Sequence, residues 1–220
     1  MFSRRRLTLL TILTGTTLTF LVLLATQFSH EPTYRGLTIK DWLSSPYNVE
    51  RSQALLVIGT NNLPLLIRRI AYDPTKDRII ALYCHLPRQL RRQTWFHDFV
   101  ARKNALADDA QGALEIVGPH ASAAIPQLTK VANASDQIPA RRALAVLDSI
   151  GEQGWTNIIS LIHNTNYALR ATAIRGIAAH TNSIAVRQAL TNALQDSNPQ
   201  IRNIADDILA GREPDIIRVH

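Results

Sequence analysis

The amino-acid sequence predicts an all-α protein, namely a short α-solenoid of four to five helical pairs preceded by one N-terminal transmembrane helix. Three observations support this prediction. A long uncharged run follows the first six residues, one sequence frame recurs along the second half of the chain, and apolar residues between its copies recur every three or four positions. Such spacing places apolar side chains on one face of a helix, and a recurring helical unit of this size is typical of stacked repeats.

The N-terminal segment is basic at residues 1–6 and uncharged at residues 7–27. About 20 apolar residues are enough for a helix to cross a bilayer, where only a helix or a closed barrel satisfies its own backbone. Arg4, Arg5 and Arg6 favour a cytoplasmic N-terminus. The sequence therefore predicts an uncleaved signal anchor at 7–27, with the rest of the chain outside the cytoplasm.

A cleaved secretory signal is the alternative interpretation of the same run. The apolar core of such a signal usually has about 7–15 residues and is followed by two small residues separated by one position. This run is longer, and Leu23 is bulky where a small residue would be needed. We therefore prefer the anchor, and the alternative predicts a secreted protein.

Composition narrows the class of protein further. Apolar residues make up 46% of the chain and charged ones 19%, which suits an ordered, mostly helical protein. Cys84 is the only cysteine, so the chain forms no internal disulfide and no cluster of cysteine ligands. The formal net charge of +7 is concentrated at the N-terminus and between Arg68 and Lys103. Proteins that coat nucleic acid are usually basic along a whole face, so this local excess argues against a nucleic-acid partner.

The internal repeat is clearest in the second half of the chain. An acidic or amide residue precedes an arginine by six positions, and an alanine follows three positions later, in three copies: Asp136 with Arg142 and Ala145, Asn164 with Arg170 and Ala173, and Asp196 with Arg202 and Ala205. Each copy opens a helix, a short polar turn and a second helix. We interpret Asp136, Arg142, Asn164, Arg170, Asp196 and Arg202 as a structural ladder that joins neighbouring turns through charge-assisted hydrogen bonds.

Two less regular units precede these copies. A helical stretch reaches Gly59 before Leu63 and Pro64, and a similar one reaches Gly118 before Ile125 and Pro126. We expect each glycine to end its helix with a positive φ and each proline to lie in the first turn of the next helix. The predicted organisation is a lead-in at 28–48, a repeat domain at 49–210 with an insertion at 72–104, and a tail at 211–220.

These motifs resemble HEAT repeats, in particular the short HEAT-like, armadillo-type repeats of bacterial proteins. The matching features are the three arginine frames, the glycine helix ends and the proline helix starts over about Val49 to Ala210. The segment from Tyr34 to Leu43 also looks like the lead-in of membrane-anchored bacterial HEAT-repeat proteins, with Ile39 at the usual Leu. The resemblance implies a solenoid that binds a protein partner, and it places the domain in the periplasm.

The insertion is rich in basic and aromatic residues. It predicts a helix from Asp77 to Leu86 and a long helix from Gln93 to Val117. Five basic residues, namely Arg88, Arg91, Arg92, Arg102 and Lys103, are candidate contacts for an anionic polymer or lipid headgroup. A solvated helix face explains the same residues, and we prefer that interpretation.

Recognisable catalytic patterns are absent from the sequence. The seven histidines include a single His-Glu pair, His30 with Glu31, which is not repeated, and no two histidines lie four positions apart; no phosphate-binding glycine loop occurs. We therefore predict no catalytic residue, no metal ligand and no cofactor. The expected function is a non-catalytic scaffold or adaptor for a protein partner, and the sequence leaves the oligomeric state open. Binding of an anionic polymer or lipid headgroup is the second hypothesis. A bilin lyase-like enzyme is the third and weakest.

Overall fold

The computed structural model describes residues 31–78, 80–81, 85, 94–134 and 137–212. Within these residues the chain is mostly helical, as the sequence predicts. Its contacts divide it into two units, residues 1–38 and residues 39–220.

A two-stranded hairpin occupies the described part of the first unit. Strands β1 (Thr33–Tyr34) and β2 (Leu37–Thr38) pair antiparallel, with Tyr34 opposite Leu37. Arg35 and Gly36 form the turn at φ values of 51° and 80°. Two consecutive residues with positive φ give the turn whose twist matches that of a hairpin. The sequence analysis did not predict this hairpin.

Ten α-helices follow in the described residues of the second unit. They are α1 (Ile39–Ser44), α2 (Val49–Asn61), α3 (Leu63–Ile70), α4 (Thr94–Val117), α5 (Ile125–Ala132), α6 (Gln137–Ile150), α7 (Glu152–Leu161), α8 (Tyr167–Gly176), α9 (Ile184–Ala193) and α10 (Pro199–Leu209). Short 3-10 segments lie at Pro74–Lys76, Gly118–Ala124 and Ala178–His180. The long helix predicted from Gln93 to Val117 is present from Thr94 to Val117, and Gln93 lies outside the described residues. Only parts of the helix predicted over 77–86 lie in the described residues.

The helices contact one another in two series. In the first layer, α2 contacts α4, α4 contacts α6, α6 contacts α8, and α8 contacts α10. In the second layer, α5 contacts α7 and α7 contacts α9, while α3 contacts the 3-10 segment that precedes α5. Consecutive helices such as α6 and α7 also contact each other. Each helix thus buries its apolar face mainly against the described helices that lie near it in the chain.

Apolar side chains between the two layers form the core. Leu114 on α4, Leu147 on α6, Ile158 on α7, Ile174 on α8 and Leu190 on α9 are all fully buried. Full burial of one such side chain stabilises a fold by about 1.5–3 kcal/mol before entropy is counted. Because these residues come from successive helices, the core continues from one unit to the next. The lead-in also contributes, since Ile39 and Trp42 of α1 are buried and α1 contacts α2 and α4.

The sequence predicts that Gly59 and Gly118 each end a helix with a positive φ. This prediction is confirmed at Gly118 and wrong at Gly59. Gly118 has a φ of 53° and lies directly after α4, as expected. Gly59 lies inside α2 and is not among the glycines with positive φ. A Cβ at Gly59 would lie 2.2 Å from Cγ2 of Val117. Glycine is therefore present at position 59 because α2 approaches the end of α4 closely, and the helix continues to Asn61.

Arg170 and Arg202 take the same position in two consecutive turns. Arg170 Nη1 donates to the backbone oxygens of Asn164 at 2.9 Å and Thr165 at 3.1 Å, and Arg202 Nη1 donates to those of Asp196 at 2.7 Å and Ser197 at 3.1 Å. In both turns the side chain six residues before the arginine accepts a hydrogen bond from the backbone N–H two residues further on. Each arginine thus closes the turn that leads into its own helix.

One of these arginines also joins two turns. Arg170 Nε and Nη2 donate to the two carboxylate oxygens of Asp196 at 2.8 and 3.0 Å. Both side chains are largely buried. The amide of Asn164 donates in turn to Oδ1 of Asn133 at 3.2 Å. Three successive turns are therefore connected by side-chain hydrogen bonds.

Arg142 differs from the other two arginines of the predicted ladder. Its Nε donates to Oδ1 of Asp108 on α4 at 2.9 Å, and its Nη1 donates to the backbone oxygen of Tyr72 at 3.0 Å. Arg142 thus binds residues that precede it in the sequence, whereas Arg170 binds Asp196 of the following unit. Asp136, the first ladder residue, lies outside the described residues.

The pH dependence of stability tests the link between Arg170 and Asp196. Partial burial alone would raise the pKa of Asp196, but the hydrogen bonds from Arg170 and from the N–H of Asn198 outweigh it and hold that pKa below its ordinary value of 3.8. The folded state therefore favours the ionised form of Asp196. The contribution of this carboxylate to the free energy of unfolding is fully present above about pH 4, and it is lost as the pH falls through the pKa that Asp196 has in the folded state. Asp196→Asn should therefore cost about 1–2 kcal/mol at neutral pH, and this deficit should shrink in acid.

The measurement is the free energy of urea unfolding of the full-length chain in detergent micelles at several pH values. Arg170→Gln should cost more at neutral pH, because it removes the hydrogen bonds to Asp196 and also those to the backbone oxygens of Asn164 and Thr165, but its deficit should likewise shrink in acid. A deficit of constant size down to about pH 2, well below the ordinary range of an aspartate, would contradict this account.

Candidate functional site

A groove lies between α6, α8 and α10, the last three helices of the first layer. We call it the arginine groove, and it is lined among others by Gln137, Arg141, Tyr167, Arg175, Gln200 and Ile204. Its volume is about 250 Å³. Because consecutive units supply its walls, the groove exists only when those units pack side by side.

The charge of the arginine groove is positive. Arg141 and Arg175 are exposed, and neither pairs with a carboxylate among the described residues. The groove's described lining contains no acidic side chain. Two guanidinium groups therefore face solvent without a described counter-charge, each with several donors in a planar fork.

The remaining lining is mixed in polarity. Gln137 and Gln200 are exposed amides at the first turns of α6 and α10. Tyr167 is 39% exposed at the start of α8. Ile204 and Ala171 are buried and form part of the apolar floor. An apolar floor with a few polar groups around it is the usual composition of a binding site.

None of the site residues predicted from the sequence lines this groove. A usable signal lay in the repeat frame itself. Ala168 and Gln200 each precede the ladder arginine of their unit by two positions, and Thr172 and Ile204 each follow it by two. Residues at equal positions of stacked repeats line one face, so extending the frame beyond the arginine would have indicated these four residues. The frame does not reach Arg141 or Arg175, which occupy different positions in their units.

The five predicted anion contacts are not brought together in the described structure. Arg88, Arg91 and Arg92 lie outside the described residues. Arg102 is exposed on α4. The ammonium of Lys103 lies 2.7 Å from Oδ2 of Asp77, whose side chain is only 7% exposed. Lys103 is thus already paired within the chain, and the proposed anionic site stays a prediction.

The environment of Lys103 is a polar cluster between α3 and α4. Its ammonium also lies 5.3 Å from the ring centre of Tyr72. Burial, followed by the negative charge of Asp77, raises the pKa of the Tyr72 hydroxyl well above its ordinary range. The hydroxyl therefore stays protonated and neutral at physiological pH. Arg142 donates to the backbone of the same tyrosine, so the cluster joins the segment after α3 to α4 and α6.

A second cluster contains the pair of side chains that comes closest to catalytic geometry. Nε2 of His180 lies 2.6 Å from Oδ1 of Asp148, and the imidazole stacks on Trp155 at 4.0 Å between ring centres. The Trp155 N–H donates to the backbone oxygen of Asp148 at 3.1 Å. In the described residues no hydroxyl or thiol hydrogen-bonds to His180 to complete a nucleophilic triad. The described contacts join α6 and α7 to the segment after α8.

Two further observations concern metal sites and membrane-spanning helices. No group of three or more His, Cys, Asp or Glu side chains in the described parts of the chain is arranged to hold a metal ion. No described helix combines the length and apolar character needed to cross a bilayer. The predicted anchor at residues 7–27 lies outside those parts.

Comparison of the chain with models of protein families, with curated proteins and with solved structures finds no match.

Proposed function

We propose that the chain is a membrane-tethered, non-catalytic scaffold or adaptor. In this proposal the helical unit is a HEAT-like α-solenoid that binds a protein partner outside the cytoplasm, in the periplasm of a bacterium. The membrane tether rests on the uncharged run at 7–27 and the arginines before it. The solenoid rests on the two series of helix contacts.

One observation supports the binding function above all. The first-layer helices α6, α8 and α10 stand beside one another, and the arginine groove crosses all three. Stacked helical pairs generate extended faces of this kind, and such faces are what solenoids use for recognition. A protein segment can contact several units at once there, which makes a protein partner a better fit than a small substrate.

Site-specific photocrosslinking in living cells tests this proposal. A photoreactive amino acid replaces Gln137 or Gln200 at the arginine groove of the full-length chain, or Thr156 as a control. Thr156 is exposed on α7, in the second layer. We expect discrete protein adducts in the membrane fraction from the two groove positions and none from the control.

Two results would overturn the proposal. One is the absence of adducts from both groove positions, and the other is the same set of adducts from Thr156. Mass spectrometry of the adducts also identifies the compartment of the partner. A cytoplasmic partner would contradict the predicted topology, in which the helical unit lies outside the cytoplasm.

A further inference from the structure

The arginine groove has a charge and a shape that specify one class of ligand. From them we infer that it binds an acidic peptide segment of the partner protein, with Arg141 and Arg175 pairing with the carboxylates of that segment. This inference rests on the proposed function and adds the chemistry of the partner.

The positive charge of the groove comes from two neighbouring helices. Arg141 on α6 and Arg175 on α8 belong to neighbouring units, and both line the same space. The ladder arginines are engaged with backbone oxygens or carboxylates, as Arg142 and Arg170 show. Arg141 and Arg175 have no described carboxylate partner and are exposed. Arginine binds carboxylates and phosphates through two parallel hydrogen bonds, so an anionic ligand of either kind could pair with these two residues.

The size of the groove indicates how much of a ligand enters it. Pockets for drug-sized molecules and cofactors usually have about 300–1,000 Å³, and this groove has about 250 Å³. That space suits one or two side chains of a peptide that continues along the helices. Gln137 and Gln200 at the first turns of α6 and α10 can hydrogen-bond to the peptide backbone because each amide donates and accepts.

The apolar part of the groove favours a peptide over the other anionic polymers. Ile138, Ile204 and Ala171 supply the floor, and Tyr167 is partly exposed beside them. A peptide that alternates acidic and apolar side chains can use both the floor and the arginines. Nucleic acid would gain most of its affinity from many phosphate contacts, and the groove offers two cations.

A selection from a library of random short peptides tests this inference. The target is the full-length chain in lipid nanodiscs, as wild type and as the double variant Arg141→Gln/Arg175→Gln. The control is Arg68→Gln/Lys130→Gln, which removes two exposed cations from the second-layer helices α3 and α5. We expect peptides rich in Asp and Glu from the wild type and the control, and no such enrichment from the double variant.

The selected peptide is then titrated against all three proteins. Each arginine should contribute up to about fivefold in affinity, because ion pairs at exposed sites are screened by water. Affinity for the wild type should fall as salt rises. Both double variants should keep the thermal unfolding midpoint of the wild type, since the replaced cations are exposed.

Three outcomes would overturn the inference. They are selected peptides without an excess of acidic residues, equal affinity of the wild type and the Arg141/Arg175 variant, and displacement of the peptide by an oligothymidylate that binds more tightly. In any of these cases, protein adducts from the groove positions in cells would still support the proposed function. Only the inference that the partner segment is acidic would then be rejected.

Discussion

Replacing Gly154 by alanine is expected to destabilise the helical unit by about 3 kcal/mol, the upper end of the usual range for overpacking. Gly154 lies in the first turns of α7, against the backbone of α6. A Cβ at this position would lie 1.7 Å from the carbonyl oxygen of Leu147 and 2.7 Å from its carbonyl carbon. These are backbone atoms of a helix, so they cannot move aside as a side chain would. The added methyl group must push the two helices apart.

The consequence for the stack follows from the position of this contact. Helix α6 contacts α4, α5, α7 and α8, so a displacement between α6 and α7 disturbs the core on both sides. Leu147 and Ile158 are fully buried at this junction. We therefore expect the arginine groove, which α6 and α8 line, to lose peptide binding together with stability.

Urea unfolding of the full-length chain in micelles, followed by circular dichroism, measures this effect. Gly176→Ala is the matched control. It places a methyl group at the end of α8, where the nearest heavy atom is Cγ2 of Ile158 at 3.9 Å, an ordinary contact. Alanine in a helix is generally more stable than glycine, so this variant should be neutral or slightly stabilised. Equal midpoints for the two variants would show that the helices do not approach as closely as described.

Replacing Arg142 by alanine should cost about 2–4 kcal/mol, which is less than a fully buried ion pair usually gives. The Arg142 side chain is 6% exposed, whereas its partner Asp108 is 66% exposed. Asp108 can therefore turn to water when the arginine is lost. The backbone oxygen of Tyr72 has less freedom, because it belongs to the polar cluster between α3 and α4. Most of the cost should come from that oxygen and from the space left by the side chain.

Two companion variants separate these contributions. Asp108→Asn should cost less than about 1 kcal/mol, since an exposed partner contributes little. Arg142→Lys keeps the charge but has no planar fork to reach both acceptors. The free energy of unfolding of this variant should therefore lie between that of Arg142→Ala and that of the wild type. If Asp108→Asn destabilised the fold as much as Arg142→Ala, the ion pair and not the contact with Tyr72 would hold this joint.

Local chemistry made the regular units predictable. Asn198 and Pro199 indicated the start of α10, and the side chain of Asn198 accepts a hydrogen bond from the N–H of Gln200 there. Pro64 and Pro126 lie in the first turns of α3 and α5, where their missing N–H groups leave no broken hydrogen bond. These features depend on residues close together in the sequence, so the sequence is enough to recognise them.

The error at Gly59 has a different origin. Glycine after an amphipathic stretch is a common helix stop, and Gly118 fits that rule. Gly59 obeys another requirement, the close approach of Val117 from a helix that follows much later in the chain. Both roles select glycine, so the residue type alone could not distinguish them. The same holds for Gly154, whose contact with Leu147 only the packed structure reveals.

By itself, the sequence determined the helical class, individual helix ends such as those at Gly118 and Pro199, and the repeated position of Arg170 and Arg202. Helix periodicity, caps and turn hydrogen bonds act over a few residues and leave their mark on the residue order. Only the tertiary structure decided that Arg142 joins α6 to Asp108 and Tyr72, that Lys103 pairs with Asp77, and that Arg141 and Arg175 share one groove. Those outcomes depend on the distance between neighbouring helices and on their relative rotation, which the packing of the whole core sets.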